Sequence, residues 1–128
     1  MPLDKIYNKD YNWDIDLAFG EVGEQNLYKI LKDSKIEVKR DRIALKTGNL
    51  AIEYEQNNRP SGIATSKADY WCYIFTKDND DKALIILPIE RLKALARKHF
   101  ISGNIKECGD NYNKIILIPV QDIFDGNT

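Results

Sequence analysis

The chain has 128 residues, the length of one compact core, and its 43% hydrophobic and 30% charged side chains exclude a chain that stays disordered. Its 19 Lys and Arg face 20 Asp and Glu, a net charge of −1, so no overall basic field draws in polyanions and any nucleic-acid binding has to be local. The longest apolar run, Ala83 to Leu87, is far too short for a membrane span, and the first residues lack the apolar segment of a signal peptide; a cytoplasmic protein without a membrane partner is expected.

Residues 1–19 mix Tyr7, Tyr11 and Trp13 with polar residues and read as an arm anchored by its aromatic side chains. From Gly20 to Lys32 the apolar Val22, Leu27, Ile30 and Leu31 recur at helical spacing, and Glu21 and Glu24 sit early, where the helix dipole favours carboxylates. Ile36 to Leu45 alternates as a strand, with Ile36 and Val38 on one face and Glu37, Lys39 and Asp41 on the other. Lys46-Thr47-Gly48-Asn49 is turn chemistry, and Leu50 to Glu55 alternates again, so the two segments are expected to form a hairpin.

Gln56 to Gly62 is a loop by its Asn, Pro and Gly content, and Thr65 or Ser66 is placed to cap a short helical turn before Tyr70. Tyr70 to Phe75 and Lys82 to Leu87 are rich in aromatic and β-branched residues and predict a second hairpin. Ile89 to Phe100 is an amphipathic helix whose exposed side carries Arg91, Lys93, Arg97 and Lys98. Lys114 to Val120 is a strand, and 121–128 a tail. The expected architecture is one α/β domain over 1–128 in the order α-β-β-β-β-α-β, a mixed sheet flanked by the two helices.

Cys72 and Cys108 lack the spacing of a zinc site or a disulfide framework and read as two reduced, packed thiols. His99 alone could serve nucleophilic catalysis, and its place in a basic helix beside Phe100 favours a packed side chain.

The acidic positions carry the chemistry. Glu24 lies on the first helix, Asp41 on one strand, Glu53 and Glu55 on the next. Magnesium and manganese take oxygen ligands, and one or two carboxylates with waters and a substrate phosphate complete the shell; a cation so held activates water without histidine or cysteine. A three-residue loop Thr47-Gly48-Asn49 would pair Lys46 with Leu50, Ile43 with Glu53 and Asp41 with Glu55 on one face, whereas a two-residue loop would separate Asp41 from Glu53.

Glu24, then Asp41 to Lys46, then Ile52-Glu53-Tyr54-Glu55 resembles the PD-(D/E)XK nuclease superfamily, nearest to Holliday-junction resolvases and related phage or restriction-type endonucleases. The resemblance covers about residues 20–56. It implies a restriction-endonuclease-like core and a Mg2+- or Mn2+-dependent endonuclease acting on DNA rather than RNA. In that arrangement Asp41 and Glu53 bind metal, Glu24 assists through water, and Glu55 stands where the family has lysine. Lys39, two residues before Asp41 on the same face, is the candidate substitute. An alternative alignment takes Glu37-Val38-Lys39 as the E-x-K motif and draws its aspartate from Asp33, Asp16 or Asp14.

In the loop after the second strand, Ser61 and Lys67 are the residues expected to contact substrate phosphate, with Asp69 a lesser candidate. The exposed basic side of the second helix could add nonspecific contacts. A duplex presents two strands and a chain this short one site, which leaves room for a homodimer. The contrasting expectation is an inactive module of the same scaffold that binds nucleic acid or protein and has lost its lysine.

Overall fold

The computed structural model describes residues 13–109 and 112–126. The helical spacing around Val22 to Leu31 is realised in α1 (Trp13–Asp33), which begins well before Gly20. The expected arm is therefore helical from Trp13 to Phe19, and its first 12 residues lie outside the described ones. Gly20 and Gly23, each costing about 1 kcal/mol against alanine inside a helix, hide that continuity in the sequence. The chain divides into two compact units, Met1–Ser34 and Lys35–Thr128.

In the second unit, β1 (Ile36–Asp41) ends four residues earlier than the alternation suggests. The Asp41 carboxylate explains the ending: its Oδ1 accepts the backbone N–H of Ile43 at 2.7 Å and of Ala44 at 2.8 Å. These bonds occupy amides that would otherwise be orphaned at a helix start and turn the chain into the short helix α2 (Ala44–Thr47). Gly48, at φ 76°, closes α2 in the left-handed conformation that suits glycine.

β2 (Asn49–Gln56) meets β3 (Arg59–Pro60) through Asn57-Asn58, both at positive φ as a two-residue hairpin requires. A single 3-10 turn, Gly62–Ala64, lies earlier than the helical turn expected from Thr65 or Ser66. β4 (Tyr70–Lys77) and β5 (Asp80–Pro88) form the expected second hairpin through Asp78-Asn79. The predicted basic helix is α3 (Ile89–Ile101). β6 (Ile105–Cys108), absent from the sequence reading, pairs with β7 (Asn113–Pro119), and a 3-10 helix at Val120–Phe124 replaces most of the described tail.

The strands build two sheets, ordered β1-β4-β5 and β3-β2-β7-β6, where one mixed sheet is expected. The β1–β2 hairpin does not form, so the pairings Lys46 with Leu50, Ile43 with Glu53 and Asp41 with Glu55 are absent. β1 instead runs parallel to β4, with Glu37 opposite Trp71, Lys39 opposite Tyr73 and Asp41 opposite Phe75, while β2 pairs with β3 and β7. Asp69 fastens this arrangement: its Oδ2 accepts the Lys35 N–H at 2.8 Å, and its own N–H donates to the Lys35 carbonyl at 2.8 Å.

One core joins both sheets and α3. Leu50 and Ile52 of β2, Trp71, Tyr73 and Phe75 of β4, Leu92 and Leu95 of α3, and Ile116 and Ile118 of β7 are among its buried members. Each fully buried aliphatic side chain contributes about 1.5–3 kcal/mol. His99 is buried and doubly bonded: Asp122 lies 2.7 Å from Nε2 and the Asn104 amide 2.8 Å from Nδ1. An amide donating to Nδ1 leaves the proton on Nε2, which donates to Asp122.

A candidate acidic cavity between the two sheets

Successive side chains of a strand alternate between faces, so Glu37, Lys39 and Asp41 share the face of β1 that continues into Trp71, Tyr73 and Phe75 of β4. The usual polarity is inverted. The charged face turns toward the buried aromatic residues, while Val38 is 56% exposed on the other side. On β2, Leu50 and Ile52 point into the core, leaving Ala51 and Glu53 on the opposite face. A cavity of about 340 Å3 is lined by Lys39, Asp41, Glu53, Gly62, Trp71 and Tyr73, with Ala51 and Arg40 to Ile43 completing it.

Asp41 and Glu53 thus line one cavity although their strands belong to different sheets. Asp41 spends Oδ1 on the start of α2, and its Oδ2 makes no hydrogen bond to the described residues. Glu53 is half-buried and has neither a hydrogen-bond nor an ion-pair partner among the described residues.

Lys39 is held at this cavity from two sides. Its Nζ lies 3.2 Å from Glu37 Oε1 and 5.5 Å from the centre of the Trp71 ring. Glu37 Oε2 in turn accepts the Ser66 hydroxyl at 2.8 Å, and Ser66 Oγ accepts the Trp71 indole N–H at 2.9 Å. Glu37 and Lys39, the pair of the alternative alignment, therefore form one fixed unit with the aromatic wall.

Tyr73 is the residue that the sequence reading missed. It is 1% exposed, lines the cavity, and its hydroxyl has no hydrogen-bond partner among the described residues. Burial, with the negative charges of Asp41 and Glu37 added, pushes its ionisation well above the ordinary phenol range, so it remains a protonated donor. In the sequence Tyr73 is one aromatic residue of a core strand; only the β1–β4 pairing sets it beside Lys39.

Gly62 closes the cavity against β2. At φ 55°, a Cβ on this residue would stand 2.1 Å from the Glu53 carbonyl oxygen, so glycine is what allows the loop to lie on Glu53.

The other expected site residues are elsewhere. Glu55 does not line the cavity; a bulge at Tyr54 breaks the alternation, and Glu55 Oε2 pairs with Lys114 Nζ of β7 at 2.7 Å. That contact raises the lysine's pKa, first through its hydrogen bond and then through charge. Glu24 belongs to α1 in the first unit. Ser61 has a buried hydroxyl without a partner and Lys67 is exposed, and neither lines the cavity. Arg91 of α3 donates to the carbonyls of Ile123 and Asp125, which ties the helix to the following 3-10 segment. Cys72 is a buried free thiol whose pKa is raised by burial, opposite to what a nucleophile needs.

Among the described residues no group of three or more Asp, Glu, His or Cys side chains converges as a metal site, and no helix is long and apolar enough to cross a membrane. Comparisons with protein-family models, with curated proteins and with solved structures find no match.

Proposed function

We propose that the chain is a Mg2+- or Mn2+-dependent endonuclease that hydrolyses phosphodiester bonds in DNA. The observation that carries the reading is one cavity lined by Lys39, Asp41 and an unpartnered, half-buried Glu53. A restriction-endonuclease-like core belongs to the same proposal, supported by the mixed sheet whose edge strand presents Lys39 and Asp41.

Two carboxylates with a free oxygen edge fit a hard divalent cation that keeps most of its waters. When bound, such a cation supplies charge neutralisation at the scissile phosphate and lowers the pKa of water. The remaining work falls to the chain's own groups. Asp41 and Glu53 hold the cation; Lys39, steadied by Glu37 and Trp71, orients the attacking water and offsets charge on the phosphate.

A second reading has its own support. Asp41 already serves α2, and two carboxylates are fewer than the acidic set expected from the sequence, which favours a module that binds nucleic acid without cutting it.

The test is incubation of circular single- and double-stranded DNA with the full chain and Mg2+ or Mn2+. Asp41→Asn is the informative substitution, because an amide oxygen can still accept the Ile43 and Ala44 N–H groups while the charge is lost. Cleavage that disappears in Asp41→Asn and Glu53→Gln, together with loss of metal-induced thermal stabilisation, supports the enzyme. Binding without cleavage by the parent favours the module. Cleavage that persists in both variants refutes the assignment of these carboxylates.

A further inference from the structure

A second cavity, of about 410 Å3, is lined by Arg40, Arg42, Lys46, Thr76, Lys77, Asp78 and Asn79. It shares Arg40 and Arg42 with the acidic cavity, so the two are neighbours along the end of β1 and the start of α2. Four of its seven residues are cationic and one is a carboxylate, a local excess of positive charge in a chain whose net charge is −1.

The cations divide into a frame and a working set. Arg40 is the frame: its Nε pairs with Asp81 Oδ1 at 2.9 Å and its Nη2 donates to the Asn79 carbonyl at 3.1 Å. Thr76 donates to the same Asp81 oxygen at 2.7 Å, and Asp78 and Asn79 form a tight turn with φ of 52° and 64°. The β4–β5 tip is thereby tied to β1, and the Asp41 cap fixes α2 on the other side. Arg42, Lys46 and Lys77 are exposed, and their side chains have no hydrogen-bond or ion-pair partner among the described residues. Three uncommitted cations on two mutually fixed elements make a preformed seat for a line of negative charges.

We propose that this groove holds consecutive backbone phosphates of a DNA strand and leads that strand to the acidic cavity. The occupant follows from charge complementarity and from the shared wall of Arg40 and Arg42; the destination rests on the nuclease reading above. Phosphate contacts of this kind set the register of the strand without reading its sequence.

Binding of a fluorescein-labelled DNA oligonucleotide, single-stranded and as a duplex, is measured by anisotropy in EDTA over a salt series. Substituting Arg42, Lys46 and Lys77 together with alanine is expected to weaken binding about tenfold or more. It also lowers the slope of log K against log salt by about 2–3, since each lost phosphate contact removes about 0.7–0.9. The exposed Lys106→Ala on β6 serves as the charge control and keeps parental binding. Parental affinity and slope in the triple variant, with an unchanged melting temperature, overturn the groove even if Glu53→Gln abolishes cleavage. Weakened binding by the triple variant of a protein that never cleaves upholds the groove and removes the nuclease reading. Capture of polyglutamate, lost in the triple variant and accompanied by no affinity for DNA, overturns the proposal in favour of an acidic protein partner.

Discussion

Gly62→Ala is the substitution whose cost can be worked most directly from the geometry. The new Cβ would lie 2.1 Å from the Glu53 carbonyl oxygen and 2.8 Å from its carbon, both backbone atoms of β2 that cannot rotate away. The loop must retreat by roughly 1 Å to reach an ordinary contact, and overpacking of this kind costs about 1–3 kcal/mol. Holding alanine at φ 55° adds about 1–2 kcal/mol. The retreat also pulls on the Ser61 N–H bond to the Tyr54 carbonyl, 3.1 Å long and adjacent to the strain. A total of about 3 kcal/mol is a large part of the 5–15 kcal/mol that stabilises a typical domain, and for a unit of this size lowers the melting temperature by about 12–24 °C. Thermal unfolding followed by circular dichroism measures it, and urea titration at constant m-value confirms that stability, not compactness, has changed. Melting within about 3 °C of the parent would refute the claim that the loop rests on Glu53.

Two further predictions concern the hydroxyl and the carboxylate that the fold places least like a random surface. Tyr73→Phe removes a buried hydroxyl without a partner and should stabilise the free protein by about 1 kcal/mol, read as a rise in melting temperature; a lower melting temperature would mean that the hydroxyl already has a partner. Asp81 is held below the ordinary aspartate range by hydrogen bonds from Thr76 and Arg40 and by the Arg40 charge. A carboxyl depressed on folding contributes stability that is complete above its unfolded pKa and lost as pH falls through the folded value, so the contribution fades below about pH 4. Asp81→Asn should therefore lower stability near neutral pH and flatten the acid limb of the stability profile; an unchanged limb contradicts the role of Asp81 at the hairpin tip.

Much of the candidate site was visible as chemistry and little of it as geometry. The alternation in β1 already put Glu37, Lys39 and Asp41 on one face, and Asp41 and Glu53 stood out as unexplained acids. The route by which Asp41 and Glu53 come to one cavity is different from a hairpin register: their strands lie in separate sheets, joined by α2 and by the loop that Gly62 lays on β2. Glu55 falls outside the cavity because a bulge at Tyr54 changes which side chains share a face, and a bulge leaves no mark in a run of six alternating residues. Ser61 and Lys67 stand out by their loop chemistry; neither lines the cavity, and the loop turns another hydroxyl, that of Ser66, toward Glu37.

Local periodicity and turn chemistry, written into a few adjacent residues, determined by themselves that α3 is a helix, that Tyr70 to Phe75 and Lys82 to Leu87 pair as a hairpin, and which side of β1 is charged; the tight Asp78-Asn79 turn between them belongs to the structure. Partner choice was decided only in three dimensions. A period of two specifies a strand's faces but not its neighbour, and the β1–β4 pairing joins residues 34 positions apart, from Ile36 with Tyr70 to Asp41 with Phe75. That pairing faces charged side chains with buried aromatic ones, and with it come the acidic cavity, the buried hydroxyl of Tyr73 and the basic groove at the hairpin tip.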